Sequence, residues 1–329
     1  MQDDFKPIFI VGNERSGTTM LAGLLDRHSE VAIPPETHFL YGLNRRLRRI
    51  AETQSNHEQL IEEVYAAEHW AAKRMLDMGL DKADLLERFK RYPAERRYLL
   101  RAALEQYATE RDKQRIGEKS PHHLLYVPTL VRWYPQARIV CIVRDGRDVA
   151  LSLRRAPWTH DSLARHSLAW RRLVKTGLDF EKKYPANLLR VCFEDLVREP
   201  ERELRRIDAF AGLEFEPRQL DHTVATNVAP VWEKPWKEKV NQPLDPKRIA
   251  AWRDSAGRDE IWLMNSLMGD YLRRLGYPET EMIDCPVTAR ARLRLLGLVT
   301  RLLYNKPLYP VLRSIRKFVT GKHRVSLYP

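Results

Sequence analysis

The sequence predicts an α/β fold: a central, mainly parallel, P-loop-like sheet flanked by helices, with a helical insertion and a basic helical C-terminal tail. Three observations carry that reading. Strand-like and helical patterns alternate through the first half of the chain, as parallel crossover units do. An apolar run at Ile8 to Val11 is followed by a glycine-bounded turn and a helical pattern opening at Gly17-Thr18-Thr19. A second β-branched run, Arg138 to Val143, delivers Arg144 at its carboxyl end, where open α/β sheets bind their ligands.

The elements follow in order. The first helix ends near His28, and Val31 to Ile33 is a short strand closed by Pro34-Pro35. The Arg-, Glu-, Leu- and Ala-rich span Thr37 to Glu110 reads as several helices, broken near Thr53 to Asn56, at Gly79 and at Pro93. A strand at Arg115 to Glu118, a helix at His122 to Trp133 and the strand Arg138 to Val143 come next. Helices at Asp148 to Arg155 and Asp161 to Lys183 lead to a strand at Leu188 to Phe193. Further helices are expected near Glu201 to Ala211 and Asp259 to Leu275. The Pro-, Trp- and Lys-rich span Val228 to Pro246 reads as a long loop, either closing over a ligand or pinned by Trp232 and Trp236.

A length of 329 residues permits one large or two ordinary domains. No apolar run reaches the roughly 18 residues of a spanning helix. The polar start, Gln2-Asp3-Asp4, and the short apolar run after it lack the form of a signal sequence. Cys141, Cys192 and Cys285 lack metal-ligand spacing, so a reduced, cytoplasmic protein is expected. The net charge of +13 is uneven: Glu281 to Pro329 holds ten Lys/Arg and two acids, with no acid after Asp284. Residues 1–280 are therefore expected to form the folded domain and 281–329 a basic extension. Nucleic-acid binding by the domain is not expected, because most of the excess charge lies in the extension.

The loop after the first strand, Gly12-x4-Gly17-Thr18-Thr19, has P-loop spacing, with Thr18 where a nucleotide-hydrolysing loop carries Lys and a cation at Arg15 instead. Backbone amides and a helix N-terminus converge there on an anion, and Arg15 and Ser16 lie within the loop. A second anion element is Arg144 with Ser152, eight residues on and about two helical turns away. Two such sites on neighbouring strands suit a ligand phosphorylated at both ends.

Arg15-Ser16-Gly17-Thr18-Thr19, Arg144 and Ser152 together resemble the two phosphate-binding elements of the sulfotransferase family, whose donor is 3′-phosphoadenosine 5′-phosphosulfate. The resemblance spans about residues 7 to 275 and is closest to tyrosylprotein, Golgi-type and bacterial members. It implies that the first element holds the 5′-phosphosulfate and the second the 3′-phosphate. Cys192-Phe193-Glu194-Asp195-Leu196 resembles the family's Tyr-Glu-Asp-Leu element beside the adenine, with Phe193 in place of Tyr. The pair Glu36-Thr37 resembles the family's Glu-Thr pair, which makes Glu36 the general base. Lys119, in Gly117-Glu118-Lys119-Ser120-Pro121, resembles the Lys of an Asn-Lys-x-Pro element that stabilises the transferring sulfuryl group, here with Glu118 where Asn is expected. His122 is a rival base.

The resemblance implies sulfuryl transfer to an acceptor hydroxyl of a saccharide, lipid-linked glycan or tyrosyl phenol, releasing 3′-phosphoadenosine 5′-phosphate, with no metal. A P-loop small-molecule kinase and a non-catalytic nucleotide-binding protein at a membrane surface are the alternatives. The tail alternates Arg290, Arg292 and Arg294, a Leu-rich stretch from Leu295 to Tyr304, and further cations through Arg324. It reads either as basic amphipathic helices on an anionic membrane, making the enzyme peripheral, or as helices docked on the domain.

Overall fold

The computed structural model describes residues 5–43, 56–66, 74–159, 161–233 and 242–278. Five strands form one parallel sheet: β1 (Ile8–Gly12), β2 (Val31–Ala32), β3 (Arg115–Lys119), β4 (Arg138–Val143) and β5 (Leu188–Cys192), in the order β2-β3-β1-β4-β5. Along the chain, α1 (Thr18–Asp26) follows β1. The insertion contributes α2 (His57–Tyr65), α3 (Lys82–Phe89) and α4 (Arg96–Thr109) before β3, and α5 (Val127–Trp133) joins β3 to β4. Next come α6 (Gly146–Arg154) and α7 (Leu163–Lys183). After β5 come α8 (Phe193–Arg198), α9 (Pro200–Ala211), α10 (Trp252–Ser255) and α11 (Arg258–Arg274).

Contacts divide the described residues into two units. One comprises Met1–Arg144 with Arg172–Ile249 and holds the sheet; the other comprises Asp145–Arg171 and the described part of Ala250–Pro329. The division is discontinuous in sequence. The expected boundary between residues 280 and 281, and the basic tail beyond it, lie outside the described residues.

In the first unit, β1 pairs with β3 (Ile10 opposite Lys119) and with β4 (Gly12 opposite Ile142). Its carboxyl end therefore emerges between the ends of β3 and β4, the crevice position of a doubly wound sheet. Ile8 and Ile10 join Leu21, Leu25, Ile142, Leu204 and Ile207 in one apolar cluster, while Phe9 on the opposite face stacks on Tyr134 at 6.0 Å. Burial on both faces explains the unbroken apolar run. Each such side chain contributes about 1.5–3 kcal/mol on leaving water.

Where the expected breaks in the insertion fall on described residues, they are element boundaries. Asn56 caps α2 in a reciprocal capping box with Gln59, Gly79 is left-handed at φ 69°, and Pro93 separates α3 from α4. Two expectations need correction. The helix expected over His122 to Trp133 is a 3₁₀ segment, Pro121–Tyr126, followed by α5. Pro128 lacks an N–H and is tolerated only in a first helical turn, so the α-helix has to restart at Val127. Phe193 does not end β5 but opens α8.

In the second unit, Asp145 caps α6 by accepting from the Arg147 amide at 2.9 Å and pairs with the Arg147 guanidinium. Trp252 ties α10 to α6, its backbone N–H donating to Asp148 (2.8 Å) and its indole to Asp145 (3.1 Å). No described helix is long and apolar enough to cross a membrane.

Candidate active site

The loop between β1 and α1 is shaped by backbone positions that most residues avoid. Arg15 adopts φ 66° and Gly17 φ 96°. Only glycine fits at 17, since a Cβ there would lie 2.6 Å from the Phe193 ring. The Ser16 amide donates to the Asn13 carbonyl at 3.2 Å, closing the turn. Gly17 is the N-cap of α1, with no side-chain cap and no acid in the first turn. The Ser16 hydroxyl is fully buried with no hydrogen-bond partner. A buried hydroxyl without a partner beside an uncapped helix N-terminus fits an anionic group that supplies acceptor oxygens.

Two arginines flank the loop. Burial lowers the Arg15 pKa, opposed by Glu14 and reinforced by Arg144. Arg144, at the end of β4, donates to the Arg15 carbonyl (3.2 Å) and the Arg248 carbonyl (2.6 Å), with its guanidinium 4.4 Å over the Phe193 ring. It therefore ties the loop to the Pro246–Arg248 turn. Phe193, expected to offer a face to an adenine, is fully buried against Gly17 and beneath Arg144. Its ring supports the loop and does not present an open stacking surface. Ser152 stands on α6, about two turns from that helix's start, in the second unit.

β3 brings the remaining expected residues together. Lys119, fully buried, donates to the Thr19 hydroxyl at 3.2 Å and to Glu36 Oε1 at 2.5 Å. One cation thus bridges the first turn of α1 and the carboxylate after β2. The other oxygen of Glu36 lies 2.8 Å from His38 Nε2 and 3.9 Å from the Arg74 guanidinium. Burial pulls the His38 pKa below its usual value against the opposing pull of Glu36. Near neutral pH it is therefore the uncharged ring, donating Nε2–H to Glu36.

Arg74 is buried among Glu233 (2.5 Å), Asp77 (3.2 Å) and the Trp232 ring (4.4 Å). Burial opposes its charge, but Glu233, Glu36 and Asp77 outweigh that and raise its pKa. Trp232 also donates its indole N–H to Asp77 at 3.2 Å, so at this residue the Val228 to Pro246 span is pinned by its aromatic side chain. Trp236 lies outside the described residues.

The rival base sits differently. His122 Nδ1 is 3.7 Å from Glu14, and its ring stacks on Tyr41 at 5.0 Å. His38 and Arg74 escaped the sequence reading. His38 follows Glu36-Thr37 at once and was within reach; Arg74 lies in the insertion, 159 residues from its partner Glu233. Among the described residues, no group of three His, Cys, Asp or Glu side chains is placed to hold a metal ion.

The model described as "Sulfotransferase family" matches residues 7–217. Protein-tyrosine sulfotransferase A of Caenorhabditis elegans is 25% identical over 279 residues, 82% of this chain and 67% of that protein. The nodulation protein NoeE of Sinorhizobium fredii is 24% identical over 311 residues, 85% and 69% of the two chains. Among solved structures, the sulfotransferase domain from the Synechococcus PCC 7002 olefin synthase shares the fold with a TM-score of 0.54 at 21% identity, covering 81% of this chain and 97% of that one. Family membership sets aside the kinase and non-catalytic readings. The chain belongs to the sulfotransferase family and is an enzyme that transfers a sulfuryl group.

Proposed function

We propose that the donor is 3′-phosphoadenosine 5′-phosphosulfate and that Glu36 is the general base toward a hydroxyl-bearing acceptor. The observation that carries the reading is the Lys119 bridge between Thr19 and Glu36. It joins the anion loop and a carboxylate through one buried cation. The Ser16 hydroxyl, Gly17, the α1 amides of Thr18 and Thr19, and Arg15 would hold the 5′-phosphosulfate. Arg144 would bind the 3′-phosphate, the role that the sequence resemblance also gives to Ser152.

In the reaction the acceptor oxygen forms a bond to sulfur, and the bond from sulfur to the bridging oxygen breaks. The acceptor proton passes to Glu36, and the electron pair of the broken bond stays on the 5′-phosphate oxygen. Protonation removes the charge that holds Lys119 on Glu36 just as charge builds on the leaving oxygen. The same ammonium then stabilises that oxygen, with Arg15 and the loop amides. Arg15 and the loop amides suit this role because they need no reorganisation during transfer. His38 and Arg74 steady the second carboxylate oxygen.

Acceptor classes within this reading are a saccharide, a lipid-linked glycan or a tyrosyl phenol; protein-tyrosine sulfotransferases among the relatives support the last. We further propose a cytoplasmic enzyme held peripherally on anionic membrane through residues 281–329, whose charge supports that placement. The test of the catalytic reading offers ³⁵S-labelled donor with p-nitrophenol, a tyrosine peptide and a panel of glycosides. Label should appear in at least one acceptor and be lost with Lys119→Ala. Transfer that survives Lys119→Ala undiminished would refute the assignment.

A further inference from the structure

The segment that carries the base has to be held in an unusual shape. His38 adopts φ 48°, a left-handed conformation that a residue with a Cβ keeps only when its surroundings enforce it. The three amides that follow Glu36-Thr37 make no β-ladder. Each is taken by a side chain: His38 N–H by Ser120 Oγ (3.0 Å), Phe39 N–H by Thr37 Oγ1 (3.2 Å) and Leu40 N–H by His123 Nε2 (3.1 Å).

All three of those side chains donate in turn to one carboxylate. Thr37 Oγ1 reaches Glu118 Oε1 at 2.8 Å, Ser120 Oγ reaches the same oxygen at 2.5 Å, and His123 Nδ1 reaches Oε2 at 2.9 Å. Glu118 is fully buried. It neighbours Lys119 on β3, and successive residues of a strand point to opposite faces. Lys119 contacts Glu36 and Thr19, while Glu118 contacts the residues that orient the Glu36 segment. Burial alone would raise the Glu118 pKa, but His123, Ser120 and Thr37 outweigh it and hold the carboxyl below its usual value. The ring of His123 is fixed as well. Because Nε2 accepts from Leu40, the ring proton sits on Nδ1 and points at Glu118.

We infer that Glu118 is the positioning residue of the active site: through Thr37, Ser120 and His123 it fixes three consecutive amides, and so sets where Glu36 and His38 stand. An ionised carboxylate suits this hub because it accepts at every lone pair and can take three donors at once. An amide has only one accepting atom. The inference rests on the reading of Glu36 as base for its catalytic consequence, but not for its structural one.

The experiment uses the full-length protein and three readouts: single-residue amide exchange at positions 38 to 40, affinity for 3′-phosphoadenosine 5′-phosphate, and transfer kinetics. Glu118→Gln keeps an acceptor for Thr37 and Ser120 but sets an N–H₂ against His123. The ring must then move its proton to Nε2, facing the Leu40 N–H. Exchange at Leu40 should therefore accelerate by roughly tenfold or more, with His38 and Phe39 little changed. Glu118→Ala should accelerate all three. In both variants kcat should fall by roughly 10–10² while affinity for 3′-phosphoadenosine 5′-phosphate stays within about twofold, because misplacing a base costs turnover before it costs donor binding. If Glu118→Ala does not fold, Glu118→Gln with its Leu40-specific signature still decides. Unchanged exchange at Leu40 in Glu118→Gln would overturn the inference. So would unchanged kcat in a folded Glu118→Gln whose wild type is active. A wild type that transfers no sulfuryl group would instead count against the base assignment and leave the exchange result standing on its own.

Discussion

The Cα of Gly17 sits so close to the ring of Phe193 that a methyl group at position 17 would lie 2.6 Å from a ring carbon. Two elements far apart in sequence, the loop after β1 and the start of α8, thereby set each other's shape. The Arg144 guanidinium on the same ring, 4.4 Å away, extends that packing to the end of β4. The anion loop is thus supported from behind by an aromatic side chain.

Gly17→Ala should weaken 3′-phosphoadenosine 5′-phosphate binding by at least about 10²-fold in calorimetry, because both the steric clash and φ 96° force the loop to move. Shrinking the ring in Gly17→Ala/Phe193→Leu should recover part of the affinity. Undiminished binding by the single variant would mean that the loop is not the anion site.

Ser16→Ala should separate stability from binding. The Ser16 hydroxyl is buried without a partner, so removing it should leave the thermal midpoint of the ligand-free protein unchanged or raised. Binding of 3′-phosphoadenosine 5′-phosphate should fall roughly tenfold or more, the usual worth of a hydrogen bond to a charged group. A loss of stability with no loss of binding would show that the hydroxyl serves the fold alone.

Asp208 on α9 gives a stability prediction away from the site. Burial pushes its carboxyl up to about 6, against the weaker pull of Gln219 and His28. A carboxyl raised above its unfolded value of about 3.9 contributes stability that is present below pH ~4 and lost as pH rises through about 6. Asp208→Asn should therefore gain on the wild type between pH 4 and pH 8, by on the order of 2 kcal/mol. Denaturation curves at several pH values would show it; a constant difference between the two proteins would contradict it.

The basic tail predicts liposome binding. The full chain should float with anionic vesicles at low salt, and a chain ending at Asp284 should not, because each surface cation contributes on the order of 1 kcal/mol. If both remain with the soluble fraction, the peripheral placement fails.

The legible parts of this protein were those written in short contiguous stretches. β1, the glycine-bounded loop and α1 form one contiguous 19-residue stretch, Ile8 to Asp26, and Glu36 and Lys119 each sit in a short motif after or at the end of a strand. Arg74 and Glu233 were hidden because their pairing is made by tertiary contact across 159 positions. The work of Glu118 was hidden for a related reason. Its three donors come from two segments that only the fold brings together, so the Glu in place of an expected Asn was visible but its purpose was not. The motif that carries Phe193 was legible beside an expected adenine, but the burial of its ring against Gly17 and beneath Arg144 was not, because those contacts join segments far apart in sequence. Pro128 was the overlooked signal for the break between the 3₁₀ segment and α5.

The central claim is that Glu36 takes the acceptor proton beside Lys119, and the most direct measurement is turnover against donor affinity in Glu36→Gln. The amide keeps the shape and removes the base. Single-turnover transfer from labelled 3′-phosphoadenosine 5′-phosphosulfate should fall by roughly 10²–10⁴, with 3′-phosphoadenosine 5′-phosphate affinity nearly unchanged. A Glu36→Gln enzyme that transfers at the wild-type rate, with His122→Ala inactive, would contradict the account and move the base to His122.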